Sequence, residues 1–386
     1  MIRILLSVIL ISIAVPVLAT DGTDEMRTDT TAAKPRRNII DKVINYFESS
    51  NKDSLTRRPR FSFIGGPHYS SDTKFGIGLL AAGLYSTSPE NDSLEPSNVT
   101  LFADVTTGNY YKVGIEGLHL YKDNTRRVNY EASFNSYSTY YWGIGVDNGL
   151  RNANKTRYRL LNIDVKAEHL WKLWKDLYFG PLVEFAYTSA RNRSNTARWR
   201  NQPLKTYILK FGGTLQFDSR DNYTSPSHGW LGEASVSYNK GIAHSFKGHF
   251  YSVGFNICNY TALWKSGVIA SRVHGDLTFG DTPWTQMPTL GAADTMRGYY
   301  EGQYRDKNEM DLTVELRQHV FKRSGIVVFG GVGAIFPSFR HLGSRQILPS
   351  YGIGYRWEFK KKTNVRVDFG FGKRCWGVDF NIGEAF

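Results

Sequence analysis

Between Phe61 and Phe386 apolar and polar residues alternate with a period of two, the pattern of strands that have one apolar and one polar face. The last three segments show it most clearly. Tyr351, Ile353, Tyr355, Trp357 and Phe359 alternate with Gly352, Gly354, Arg356 and Glu358. Next, Val365, Val367, Phe369 and Phe371 face one way, and Asn364, Arg366, Asp368 and Gly370 the other. Finally Trp376, Val378, Phe380, Ile382 and Phe386 alternate with Gly377, Asp379, Asn381, Gly383 and Ala385. A β-sandwich could use the same alternation to bury two sheets against each other. Length separates the two cases: these runs reach about 10 to 15 residues, enough for a tilted membrane crossing, whereas globular strands centre near 5 to 6. Lipid outside and water inside is therefore the preferred reading.

Such segments start near residues 59, 74, 97, 109, 126, 155, 176, 203, 229, 246, 266, 309, 324, 347, 362 and 375. The count, roughly sixteen, is even, as in bacterial barrels. The expected fold is thus all-β, a 16-stranded antiparallel transmembrane β-barrel over residues 59–386. From Lys155 on, tight connections near Trp171 to Lys175, Lys265, Lys322 and Lys360 alternate with long ones near 191–202, 281–308 and 336–346. That matches short periplasmic turns and long extracellular loops. The first third departs from the rule: 87–96 is long where a turn is due, and Gly108 is tight where a loop is due.

The apolar run ahead of these strands is of another kind. Arg3 is followed by an apolar stretch from Ile4 to Val15 and by Val17-Leu18-Ala19, which reads as a secretory signal peptide over 1–19. Its removal would take the formal charge from +13 to +12, since Arg3 is its only charged side chain. Residues 20–58 begin as a polar segment expected to be disordered. Within "NIIDKVINYFESS", Ile40, Val43, Ile44 and Phe47 have helical spacing and predict a short amphipathic helix at about 38–50. It could pack on the membrane surface, plug the pore or contact a partner. No later stretch offers the roughly 18 consecutive apolar residues of a membrane helix.

Composition supports the barrel. The chain holds 23 Tyr, 23 Phe and 9 Trp, with 37 Gly and only 13 Pro; amphipathic rings suit the two interfacial girdles of a membrane barrel. Cys258 and Cys375 fall on non-adjacent strands and are expected as free thiols. The 9 His and 2 Cys form no metal-ligand spacing, so neither a metal nor a cofactor is expected. Ser225, Ser227 and His228 carry no oriented acid, and as neighbours in a turn are expected not to face each other as nucleophile and base, so an enzyme is not expected. The basic balance suits outer-membrane lipid and anionic lipopolysaccharide, and nothing supports nucleic-acid binding.

One segment does not alternate. "LGAADTMRGYYEGQYRDKNEM", residues 290–310, carries Arg297, Gly298 and Tyr299 between the eleventh and twelfth predicted strands. Such a loop resembles the inward-folded sixth loop of the BamA-like outer-membrane assembly factors, the bacterial surface antigen family. "LQFDSRDNYTSPSHGW", residues 215–230, is similar to that family's Asp-x-Arg-Asp periplasmic turn, here Asp218, Arg220 and Asp221 with Pro226 and Gly229 downstream. "YYWGIG", residues 140–145, resembles the aromatic-Gly-x-Gly that members carry before a long early loop. The ending "VRVDFGFGKRCWGVDFNIGEAF" resembles the last two strands, with Phe380, Ile382 and Phe386 as a C-terminal assembly signal. A buried guanidinium needs carboxylates. The resemblance places Glu315, on the lumen face with Asp311, Thr313 and Arg317, as one partner of Arg297. The family's second acid falls on "FGGVG", residues 329–333, where Gly331 stands instead, so one partner fewer is expected.

The resemblance implies a protein of the bacterial outer membrane. It would be a client of the outer-membrane assembly machinery and an accessory to it, acting on unfolded outer-membrane protein clients. It would assist insertion or export of outer-membrane or surface proteins through a lateral seam between the first and last strands. The polypeptide-transport-associated (POTRA) domains of the family, about 75 residues each, are expected to be lacking, because 20–58 has no room for one. The first strand contains Gly65-Gly66-Pro67, which weaken a ladder and agree with such a gate or with a frayed end. The alternative is a passive pore or structural barrel that has lost transport.

Overall fold

A computed structural model of the chain describes residues 57–70, 74–88, 96–199, 201–243, 245–291, 295–360 and 363–386. The signal peptide at 1–19 and the amphipathic helix at 38–50 lie outside the described residues, as does the polar segment up to residue 56.

Sixteen strands form one antiparallel sheet in chain order. They are β1 (Arg60–Ser70), β2 (Lys74–Tyr85), β3 (Ser97–Thr106), β4 (Tyr111–Leu120), β5 (Arg126–Tyr141), β6 (Thr156–Trp174), β7 (Leu177–Arg191) and β8 (Lys205–Asp218). The rest are β9 (Gly229–Gly241), β10 (His249–Trp264), β11 (Gly267–Gly280), β14 (Asn308–Phe321), β15 (Ser324–Phe336), β16 (Ile347–Lys360), β17 (Thr363–Gly372) and β18 (Cys375–Ile382). Two short strands, β12 (Thr289–Leu290) and β13 (Tyr304–Arg305), pair only with each other, inside the β11–β14 connection. Each predicted strand start falls within three residues of an observed one, because the alternation that marks a strand also decides which face meets lipid. Phe75, Ile77 and Leu79 on β2, like Tyr351, Ile353 and Tyr355 on β16, project outward and are exposed.

The early connections keep the lengths that broke the rule in the sequence. The β3–β4 connection closes within 107–110 because Asn109 takes φ 61°, Thr106 N–H donates to Tyr110 O at 3.0 Å, and Gly108 N–H donates to Thr106 Oγ1 at 3.2 Å. Asparagine tolerates that left-handed geometry better than other side chains. Cys258 lies buried on β10 and Cys375 half-buried on β18, both as free thiols.

Among the described residues no ladder joins β1 to β18, so the sheet order begins and ends at these two edges. The C-terminus corrects the sequence reading. β18 stops at Ile382, and Gly383, at φ 94°, turns the chain off the strand. Glu384 accepts hydrogen bonds from Arg356 Nε at 2.9 Å and Asn364 Nδ2 at 2.6 Å. Arg317 Nη2 donates to the Phe386 carbonyl oxygen at 2.8 Å. The Phe386 ring packs against the cluster of Leu231, Cys258, Tyr260 and Ala270. Phe386 therefore does not continue the outward face of Trp376, Val378 and Phe380. Glu384 and Phe386 meet the side chains of Arg317 and Arg356, whose buried partners are Glu315 and Asp368, and these contacts outweigh the outward alternation.

Candidate functional site

The described part of the β11–β14 connection, residues 281–291 and 295–307, carries Arg297 buried inside the barrel. Arg297 has no exposed side-chain surface and meets two carboxylates that are equally buried, Glu315 on β14 and Asp368 on β17. Its Nη2 donates to Glu315, its Nη1 donates to Asp368 Oδ2 at 2.8 Å, and its guanidinium lies 3.6 Å from the centroid of the Phe329 ring on β15. Ser350 Oγ on β16 donates to the Arg297 carbonyl oxygen at 2.7 Å. One residue is thereby tied to four strands. A planar fork that satisfies two carboxylates while stacking on a ring is a task suited to arginine and not to lysine.

Each carboxylate has a second cation. Arg317 Nε donates to Glu315 Oε2 at 2.8 Å, and Arg356 Nη1 donates to Asp368 Oδ1 at 2.6 Å. Arg356 also reaches Glu384 of the C-terminal tail, at 2.9 Å, so loop, wall and tail share one ionic network. Buried charges persist only when paired in this way.

The glycine beside Arg297 is required by both backbone and space. Gly298 has φ 97°, and a Cβ there would come within 2.6 Å of the Gly370 backbone on β17. Gly370 is constrained in return: its Cβ would come within 2.6 Å of Arg297 and Gly298 backbone atoms. The two glycines let the loop backbone lie directly on the strand backbone. Tyr299 follows, its hydroxyl donating to Pro349 O at 2.7 Å and accepting from Lys373 N–H at 2.7 Å. Burial pushes that hydroxyl up to about 12, so it stays protonated and able to donate.

The predicted pair of Arg297 with Glu315 is thus present. The expectation of one partner fewer is corrected: the second carboxylate comes from Asp368, although Gly331 stands where the family motif has its acid. Beside Gly331 there is little room, because a Cβ would meet Leu312 O at 2.8 Å. The period of two along β17 puts Asp368 on the lumen face. Its partner was not legible, because the loop's path across the lumen selects the strand.

The other motifs serve shape. Arg220 donates to both Asp218 oxygens, at 2.9 and 2.8 Å, closing the β8–β9 turn. Asp221 accepts from Ser227 N–H at 2.8 Å, Ser227 Oγ at 2.6 Å and His228 N–H at 3.1 Å. At Gly229, φ 102°, a Cβ would lie 2.2 Å from Ser219 O, which explains the glycine. Contrary to expectation, Ser227 Oγ and His228 Nδ1 do meet, at 3.1 Å. Asp221 accepts from the serine hydroxyl and from the His228 backbone N–H, so its described hydrogen bonds close the turn. The "YYWGIG" segment caps the sixth loop: Gly145 N–H donates to Arg305 O at 2.7 Å, and Tyr141 packs with Tyr158, Trp199 and Trp284.

Among the described residues one group could hold a metal ion: His274, Glu309 and Asp311, with ligand atoms within 4.8 Å of one another. Its spacing is invisible in the sequence because two strands supply it. In the structure His274 Nδ1 sits 3.1 Å from each carboxylate. A cavity of about 300 Å³ in the lumen is lined in part by Glu116, Glu131, Glu168 and Glu233.

Residues 86–386 match the family model described as the Omp85 superfamily domain. No curated protein matches the chain. Among solved structures, BamA from Haemophilus ducreyi lacking POTRA domains 1–3 aligns with a TM-score of 0.53 and 12% identity, covering 84% of this chain and 69% of that one. CdiB from Acinetobacter baumannii aligns with a TM-score of 0.52 and 10% identity, covering 85% of this chain and 60% of that one. At these identities the two structures establish a shared fold.

Proposed function

The chain belongs to the Omp85 superfamily, bacterial outer-membrane β-barrels of protein insertion and transport, and from that premise we propose that it assists insertion or export of outer-membrane or surface proteins through the seam between β1 and β18. The observation that carries this reading is the unequal anchoring of the two edges. The loop arginine, its two carboxylates and the C-terminal tail brace β14 to β17, the wall that leads to the C-terminal edge, while the described ladders of the two edge strands run from β1 to β2 and from β18 to β17. A strand edge with unpaired backbone groups is a template for an incoming strand. Gly65, Gly66 and Pro67 within β1 further weaken any closing ladder.

A second reading, a passive pore, is favoured by the polar cavity in the lumen. Its other basis was a loop with one partner fewer, and Asp368 removes that basis.

Quantitative proteomics of the outer membrane after depletion tests the proposal. Many barrels or surface proteins falling together, with transcripts held, is the expected result. Unchanged proteins with a shift only in solute permeability would establish the pore instead. Cysteines introduced to bridge β1 and β18, in a background with Cys258 and Cys375 replaced, should abolish complementation until reduced. Complementation by the oxidised, bridged protein would count against the seam.

A further inference from the structure

The outer face of β6 to β10 carries a row of cations at its extracellular end, above a row of tyrosines. Arg157 and Arg159 on β6, Arg191 on β7, Lys205 on β8 and Lys240 on β9 share the face of Val165, Val183, Phe211 and Val236, which are exposed toward lipid. Arg159 stands directly opposite Arg191 in the β6–β7 ladder. Lys205 pairs with Ser189, and Lys240 with Leu209 on one side and His249 on the other. Like charges directly opposite in a sheet repel. None of the five forms an ion pair with a carboxylate among the described residues. Arg159 and Arg191 donate to Ser136 and Ser189, and Lys240 donates to a backbone carbonyl. Residues 189–209 and 239–252 contain no Asp or Glu, so their connecting loops offer no internal counter-ion.

Closer to the bilayer, Tyr187 pairs with Tyr207 and Tyr238 with Tyr251, ring centroids 4.6 and 5.5 Å apart. Tyrosines at that depth mark the headgroup level. The cations therefore lie where outer-leaflet phosphates lie.

We propose that this ridge binds the phosphorylated glycolipid of the outer leaflet, with one phosphate bridging Arg159 and Arg191 and further phosphate or acidic sugar groups on Lys205 and Lys240. A phosphate between two opposed arginines converts the repulsion into two charge-assisted, bidentate contacts. The tyrosine row covers the acyl-chain boundary beneath. The outer face at the extracellular ends of β16 to β18 presents Ile347, Tyr351, Phe371 and Trp376, and the cations there, Lys373 and Arg374, sit in the β17–β18 turn rather than in a row along the strands. This inference does not depend on the seam mechanism.

The test is titration of the full chain, folded in detergent, with diphosphoryl lipid A, monophosphoryl lipid A and phosphatidylglycerol, read by native mass spectrometry. The folded, heat-modifiable band serves as a control for each variant. Removing one cation is expected to weaken diphosphoryl lipid A binding about fivefold, and Arg159→Gln with Arg191→Gln about thirtyfold. Lys205→Gln with Lys240→Gln is a second variant outside the opposed pair and should weaken binding too. Equal binding by folded wild-type and variant proteins would overturn the proposal. So would phosphatidylglycerol binding as tightly as diphosphoryl lipid A.

Discussion

The strands near the two edges of the sheet, β2 on one side and β17 and β18 on the other, present similar faces to lipid and different faces to the lumen. On β2, Phe75, Ile77 and Leu79 point outward, as do Phe369 and Phe371 on β17 and Trp376, Val378 and Phe380 on β18. Inward, β2 shows the small and apolar residues Gly76, Gly78, Leu80 and Ala82. β17 shows Arg366, Asp368 and Gly370: one acid holds the sixth loop and one glycine lets its backbone lie flat. Toward lipid the two edges are alike, because both must meet the same apolar solvent. Whatever differs between one edge and the other is therefore written on the lumen face, and here it leaves the C-terminal wall braced and the N-terminal edge held by its ladder.

The largest effect should come from breaking the brace at its centre. Glu315→Ala leaves Arg297 and Arg317 short of a buried carboxylate and should cost about 3 to 5 kcal/mol; Arg297→Ala should act similarly. Wild-type heat-modifiability together with wild-type resistance of residues 281–307 to protease, in both variants, would remove the brace from the account.

Gly298→Ala probes the backbone contact without touching a charge. The overlap with Gly370 and the positive φ together should cost about 1 to 3 kcal/mol. The loop should become protease-sensitive while the barrel stays folded; a loop as resistant as wild type would show that the backbones can separate freely.

Smaller still is the tail. Phe386→Ala removes a half-buried ring from the Leu231, Cys258, Tyr260 and Ala270 cluster and should cost about 1 kcal/mol. If the ring instead acts outward as an assembly signal, the variant will fail to reach the membrane, with little change in the stability of what does. At the other edge, Ala82→Ser on β2 should change stability by less than about 0.5 kcal/mol. A change comparable to that of Glu315→Ala would mean that the N-terminal wall is braced as well.

Strand number, strand starts and the lipid-facing residues were legible in the sequence, because a period of two commits every second side chain to one solvent over the length of each strand. The pairing of Arg297 with Glu315 was legible through the resemblance of the loop and its place in the strand order. The partner Asp368, the stacking on Phe329 and the clasp of Gly298 by Gly370 were not. They join residues 32 to 72 positions apart in the chain, and nothing local distinguishes Asp368 from Asp311, which faces the lumen on β14 four residues before Glu315. The inward turn of Phe386 was hidden because Gly383 ends the strand while the alternation in the letters continues. The sequence by itself determined a lipid-facing barrel, since that follows from the solvent each face must meet. Only the tertiary structure decided that Asp368 is the second acid at the loop arginine and where the tail lies, because those depend on how far a loop reaches across a lumen whose width exists only once the strands have paired.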